Sequence, residues 1–148
     1  MIEIIGDIWV QKCDWLCVTT NGVIKADGKA VMGKGIALQT AQRYPNISTI
    51  LAQKLKDRGN IVSPLLFANG KWIISFPTKL DWRMPSDINL IKQSAIQLKE
   101  AFDKQIKKPI IMLPRPGCSN GGLKWEDVKE VIEPILIDDR IILIDNHV

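Results

Sequence analysis

Trp15-Leu16-Cys17-Val18-Thr19-Thr20 runs into Asn21-Gly22, and a polar loop later comes Val31-Met32-Gly33-Lys34-Gly35-Ile36-Ala37-Leu38-Gln39. The first stretch is rich in residues that suit a buried pleat and reads as a strand that stops at Asn21-Gly22. The second opens with two glycines around a lysine and continues as a helix to about Tyr44, where Pro45 ends it. Strand, glycine loop, helix is the unit of an α/β protein. The first N–H groups of a helix have no internal partner and the helix dipole adds positive character there. With glycines that let a ligand approach the backbone, this is an anion site, most often for phosphate.

Outward from this unit the same alternation continues. Residues 2–5 read as a first strand, ending at Gly6-Asp7, with a turn or short helix at Asp7-Ile8-Trp9. Asn46 is placed to cap a helix whose apolar face is Ile47, Ile50, Leu51 and Leu55, with Gly59 at its end. Residues 62–67 and 71–76 read as strands of a hairpin turning at Asn69-Gly70, the second ended by Pro77-Thr78-Lys79. Trp82-Arg83-Met84-Pro85 is a loop. Ser86 is expected to cap the longest helix, with Ile88, Ile91, Ala95, Leu98 and Phe102 on one stripe, and Lys107-Lys108-Pro109 to close it. Residues 110–113 form an apolar strand, 114–123 a loop of Pro and Gly, 125–133 a short helix stopped by Pro134, and 141–144 the last strand.

Strands that are apolar without clean alternation belong to a sheet covered on both faces. In such sheets ligands sit past the carboxyl ends of the strands. Three segments follow strands: Asn21-Gly22 with the first glycines, Phe76-Pro77-Thr78-Lys79, and the loop from Arg115 to Leu123. They can therefore share one cleft. Because the second glycine loop also precedes a helix, the two loops could hold a diphosphate between their backbone amides.

At 148 residues, with 46% hydrophobic residues and mean hydropathy +0.03, the chain is expected to be one domain with a sizeable core. No apolar run approaches the roughly 20 residues of a membrane span, and no basic segment precedes the first apolar residues as in a secretory signal. Cys13, Cys17 and Cys118 make an odd count without metal spacing, which favours a reducing, intracellular setting. The one histidine, His147, argues against a zinc site or a Ser-His-Asp triad. The net charge of +4 permits an anionic partner, but there is no basic stripe with interleaved aromatics to suggest a general nucleic-acid module.

Five stretches together resemble the macro domain family: Gly6-Asp7-Ile8; Thr19-Thr20-Asn21-Gly22; Val31-Met32-Gly33-Lys34-Gly35-Ile36-Ala37; Phe76-Pro77-Thr78-Lys79; and Leu113-Pro114-Arg115-Pro116-Gly117-Cys118-Ser119-Asn120-Gly121-Gly122-Leu123-Lys124-Trp125. They run from the first strand almost to the last. The branch resembled processes ADP-ribose 1″-phosphate or removes ADP-ribose from protein or DNA. The resemblance implies a three-layer α/β/α sandwich with a mixed central sheet over residues 1–148, and neither cofactor nor metal.

It also implies a ligand pose. Asp7 would accept from the adenine amino group, with Ile8 beside it. Thr20 lies next to Asn21, which would bind hydroxyls of the distal ribose; on its own Asn21 reads as a turn residue. Val31, Met32, Gly33, Lys34, Gly35 and Ile36 would face Gly117, Cys118, Ser119, Asn120, Gly121, Gly122 and Leu123 across the diphosphate and distal ribose. Lys34 itself reads as solvated, and Cys118 as a small buried residue with no base partner. Asp145, Asn146 and His147 are candidates for the adenine end by position only. Among the tryptophans, Trp82 is the best placed for the cleft wall.

Lys79 stands where the lysine-dependent hydrolases of the family carry their lysine. It would attack C1″ of the distal ribose, or its ring-opened aldehyde; the alternative is a solvated loop lysine. The protein-directed members carry an assisting aspartate at the position of Gly121, so that partner is absent here, and the DNA-directed members also have Gly-Gly. The loop 23–30 is longer than in those relatives and leaves substrate identity open. The expected activity is therefore release of ADP-ribose from DNA or protein by hydrolysis at C1″, through Lys79 or an ordered water assisted by the substrate's phosphate. The alternatives are an ADP-ribose 1″-phosphate phosphatase and a non-catalytic ADP-ribose reader. The expected partners are ADP-ribose or an ADP-ribosylated substrate and no membrane; a monomer in the cytoplasm is favoured.

Overall fold

A computed structural model describes residues 1–147. Six strands form one sheet: β1 (Ile2–Gly6), β2 (Trp15–Asn21), β3 (Ser63–Ala68), β4 (Lys71–Lys79), β5 (Ile111–Pro114) and β6 (Ile141–Asn146). Four helices flank it: α1 (Gly35–Arg43), α2 (Ile47–Arg58), α3 (Ile88–Asp103) and α4 (Trp125–Ile132), and a single 3-10 turn spans Ile8–Val10. The strand order is β1-β6-β5-β2-β4-β3. The first five of these neighbours are mutually parallel, and β3 joins the edge antiparallel to β4. The sheet is mixed, as expected.

Both faces are covered, and strand β2 shows why the apolar run did not alternate. Cys17 faces a core built with Ile91, Ala95, Leu98 and Phe102 of α3 and Val128 and Ile132 of α4. Leu16 and Val18 face the opposite core, with Ala37 of α1 and Ile47, Leu51 and Ala52 of α2. Each fully buried Leu, Ile, Val or Phe among them contributes about 1.5–3 kcal/mol relative to exposure. The three-layer α/β/α sandwich follows directly. Among the described residues no helix is long and apolar enough to cross a membrane.

Local readings need four corrections. Asp87, not Ser86, caps α3: its Oδ1 accepts from Asn89 N at 2.9 Å and Leu90 N at 3.4 Å. A carboxylate at this position reaches the free N–H groups, while Ser86 is buried and its N–H is taken by the Gly121 carbonyl at 3.0 Å. Asn46 stands at the start of α2, but its backbone is already helical and its side chain makes no capping bond. Pro77 does not end β4, which runs on to Lys79 paired with β2, with a register shift between Thr20 and Asn21. Proline is tolerated there because Thr20 pairs with it just before the ladder shifts. Finally, α3 ends at Asp103, ahead of Lys107-Lys108-Pro109. The Lys108 Nζ turns back onto its last carbonyls, at 2.6 Å from Asp103 O.

Candidate functional site

Because β1, β6, β5, β2 and β4 are parallel neighbours, their carboxyl ends lie along one edge of the sheet. A cleft of about 1130 Å³ opens there. Its floor is Thr19, Thr20 and Asn21 of β2, Thr78 and Lys79 of β4, and Ile144 to Asn146 of β6. The N-termini of α1 and α4 point into it from opposite sides, since Gly35, Ile36 and Ala37 line one wall and Trp125 and Glu126 the other. Neither helix has a side-chain cap: Lys34 and Lys124 occupy the cap positions without making one. The N–H groups of Gly35, Ile36 and Ala37 on α1 and of Trp125 and Glu126 on α4 are therefore left for an anion, while Asp127 N already donates to Lys124 O at 3.1 Å.

The two glycine loops meet across the cleft. A Cβ built on Gly35, whose φ is +57°, would stand 2.9 Å from Asn120 Nδ2. On the second loop Gly121 lies so close to Ser86 Oγ and to the Gly117 backbone that no side chain fits. Lys79 Nζ donates to the Asn120 carbonyl at 3.3 Å, and Asn60 Nδ2 donates to the Lys79 carbonyl at 3.1 Å. Asn21 Oδ1 accepts from Val23 N at 3.0 Å, and its Nδ2 donates to Val31 O at 3.1 Å. One carboxamide thus closes the base of the loop 23–31, where Val31 N also donates to Val23 O at 3.1 Å. Thr20 is buried, and among the described residues its Oγ1 has no hydrogen-bond partner.

At the other end, Asp145 Oδ2 lies 3.5 Å from Arg115 Nη1 and 3.2 Å from His147 Nε2. The Arg115 guanidinium stacks 4.9 Å from the Trp125 ring centroid, and Trp125 Nε1 donates to Glu3 Oε1 at 2.8 Å. The Lys129 ammonium, 2.7 Å from Glu3 Oε2, is the main cause that holds the Glu3 carboxyl below its ordinary value. Cys118 is half-buried, its thiol donates to Pro116 O at 3.4 Å, and burial pushes its pKa up to about 11. A thiol so held is protonated at neutral pH and is no nucleophile. Among the described residues no cluster of His, Cys, Asp or Glu could hold a metal ion.

No protein-family model matches the chain. The DNA ADP-ribosyl glycohydrolase of Mycobacterium tuberculosis is 38% identical over 132 residues, which cover 84% of this chain and 35% of the relative. The solved macrodomain of Mycobacterium tuberculosis DarG is 32% identical, with a TM-score of 0.76 over 95% of this chain and 96% of that one. The chain belongs to the macro domain family. Thermosipho africanus DarTG, solved in complex with ADP-ribose, is 25% identical, with a TM-score of 0.75 over 97% of this macro domain and 41% of that chain. This macro domain spans about a third of the length of the curated relatives it matches.

In this macro domain the cleft brings together Thr20, Asn21, Val31, Gly33, Lys34, Gly35, Ile36, Lys79 and, on the second loop, Gly117 to Gly121 and Leu123. Asp7, Ile8, Met32 and Gly122 are not on its wall. Ile8 and Met32 are core residues, 0% and 6% exposed. Asp7 Oδ1 caps the 3-10 turn, accepting from Trp9 N at 2.9 Å, and Ile8 N is taken by Asn146 Oδ1 at 2.8 Å. Gly122 is exposed at the turn of the second loop. Lys34 is exposed, as read, and Trp82 lines the cleft at 46% exposure. Arg115 and Trp125 also line it. Sequence reasoning placed both inside the matching motif without giving either a task. Thr78 likewise lies in a matching motif without a task, and Ser86 was missed as a cleft residue, because only the sheet order brings α3's start beside the second loop.

Proposed function

We propose that this macro domain binds ADP-ribose along the strand ends and removes it from DNA by hydrolysis at C1″ of the distal ribose. The observation that carries the reading is the position of Lys79, at the end of β4 and bonded to the loop that faces the N-terminus of α1. The diphosphate lies between the two uncapped helix ends, which supply N–H groups and dipole. The adenine lies toward β1 and β6, near Asp7, Asn146 and His147, and the distal ribose lies between Asn21 and Lys79.

In the reaction the Lys79 amine forms a bond to C1″ as the bond from C1″ to the base nitrogen breaks. The departing nitrogen takes up a proton, and water then replaces the lysine at C1″ to give free ADP-ribose. Two observations favour DNA over protein. Relatives 33–38% identical in sequence are named as DNA ADP-ribosyl glycohydrolases. The position of the aspartate used by protein-directed members is Gly121, where the structure leaves no room for a side chain. We further assign residues 1–148 to one domain that works as a monomer in a reducing compartment, with its three cysteines unpaired.

A turnover panel tests the reading: ADP-ribosylated DNA, ADP-ribosylated protein and ADP-ribose 1″-phosphate, each with wild type and Lys79→Ala. Release from DNA that depends on Lys79 is the expected result. Turnover of the phosphate alone selects a phosphatase, and calorimetric binding of ADP-ribose without turnover selects a reader. Absence of ADP-ribose binding overturns the pose.

A further inference from the structure

The loop that follows Lys79 carries three exposed apolar side chains, Leu80 at 57%, Trp82 at 46% and Met84 at 53%. Large apolar groups so close together on a surface loop call for an occupant. This loop is fixed rather than open-ended. Gly22 N donates to Leu80 O at 3.3 Å, Met84 N to Asp81 O at 3.1 Å, and Asp87 N to Thr78 O at 2.9 Å. Asp81 also takes both Arg83 Nε, at 2.9 Å, and Nη2, at 2.6 Å, which sets the guanidinium 5.6 Å from the Trp82 ring centroid. The indole is presented at the cleft mouth on a braced turn.

Strand order tells what reaches it. From β1 to β4 the sheet has four inter-strand steps, roughly 19 Å at the usual spacing. If adenine lies over β1 and β6 and the distal ribose at Asn21 and Lys79, the group attached to C1″ leaves the cleft over residues 80–84. Charge differs along the same axis. At the α4 and β6 end Glu126 and Asp145 are balanced by Arg115 and Lys124, whereas at the end near β2 and β4 the charged lining residues are Lys25, Lys34 and Lys79, with Asp27 3.8 Å from Lys25 Nζ. A flat aromatic face beside several cations is how single-stranded nucleic acid is held, by stacked bases and neutralised phosphates. A phosphate group, having no flat apolar face, would leave the indole uncovered.

We propose that Leu80, Trp82 and Met84 form a platform on which the nucleobase joined to C1″ stacks, with Lys25 and Lys34 meeting the flanking phosphodiesters of a single strand. The proposal rests on the DNA reading above. A base stacked on Trp82 has left any duplex, so the substrate strand is unpaired at that nucleotide.

The test compares wild type, Trp82→Ala and Trp82→Phe on an ADP-ribosylated single-stranded oligonucleotide, with free ADP-ribose binding measured alongside by calorimetry. Trp82→Ala is expected to raise KM for the oligonucleotide about tenfold, the scale of one lost base–aromatic stack. Trp82→Phe restores most of the affinity, and binding of free ADP-ribose stays within about twofold. An unchanged KM in Trp82→Ala overturns the platform and leaves the DNA reading standing. An equal loss for oligonucleotide and free ADP-ribose also overturns it, since the indole would then serve the ADP-ribose itself. Failure of wild type to release ADP-ribose from the oligonucleotide, with ADP-ribose binding intact, overturns the DNA reading and the platform with it.

Discussion

Lys79 donates its Nζ to the backbone carbonyl of Asn120 across 3.3 Å, so the end of β4 is joined to the second glycine loop. The bond aims a long, flexible side chain at the gap between the two loops. It also explains how a half-exposed lysine can be held at one place without a carboxylate partner.

Replacement of Lys79 by alanine is expected to lower kcat on ADP-ribosylated DNA by about 10²–10³, the usual scale for one directly participating group. ADP-ribose affinity should change little, because the helix ends hold the diphosphate. Lys79→Arg should not rescue turnover, since a guanidinium keeps its proton and is no nucleophile. Steady-state kinetics with an ADP-ribosylated oligonucleotide measures all three. Opening of the ribose ring in the C1″–lysine adduct, with the ring oxygen leaving C1″ and taking up a proton, gives an imine, so borohydride reduction during turnover should leave an ADP-ribose adduct on wild type, read by mass, and none on Lys79→Ala.

Asn21 acts on the loop as well as on any ribose. Removing its carboxamide in Asn21→Ala breaks the bonds to Val23 N and Val31 O. Two partly buried hydrogen bonds are worth about 1–3 kcal/mol together, so the urea midpoint should fall accordingly. Asn21→Asp keeps the acceptor for Val23 but sets a carboxylate against the Val31 carbonyl, and it should lose more ADP-ribose affinity than it loses stability. Calorimetry and urea titration separate the two effects.

Gly121 is closed to substitution by its neighbours. Gly121→Ala is expected to destabilise the protein by about 1–3 kcal/mol, as overpacking does, and to weaken ADP-ribose binding by displacing the second loop. Replacing Ser86 by glycine in the same chain removes one obstacle but leaves the Gly117 carbonyl in contact, so stability should recover only in part. Gly121→Asp should therefore not create a protein-directed hydrolase. Chemical denaturation and the turnover panel check these expectations.

The order of strands and helices was legible because apolar runs and turn residues are local signals. The Asn69-Gly70 hairpin is an example: both residues have the positive φ that its tight turn needs. Cap identity was less legible, since Ser86 and Asp87 are both good capping residues and only burial beneath Gly121 removes Ser86 from the choice. The cleft was foreseen from where the loops fall after strands. The partition of its wall was not, because Ile8 and Met32 look the same in sequence whether they face a ligand or the core. The ion-pair chain from Glu3 through Arg115 to Asp145 joins residues far apart in the chain and has no local signature.

The cysteines are expected to contribute to the alkaline limb of stability. Burial pushes the Cys13 thiol up to about 11, and it pushes Cys17, fully buried, well above the ordinary thiol value. Cys118 is also raised by burial, to about 11. In the unfolded chain these thiols ionise near their ordinary value, so above it the folded state holds more protons than the unfolded one. Stability is then fully present below that value and falls as pH rises toward the folded values. Urea midpoints measured from pH 7.5 to pH 10 should decline at the upper end. Cys17→Ala should start lower, through lost core packing, but decline less steeply, because the most strongly perturbed thiol is gone. An identical slope in the variant would show that other groups govern the alkaline limb. Cys118→Ser should keep wild-type turnover, since a thiol that is protonated throughout the neutral range takes no part in the chemistry at C1″.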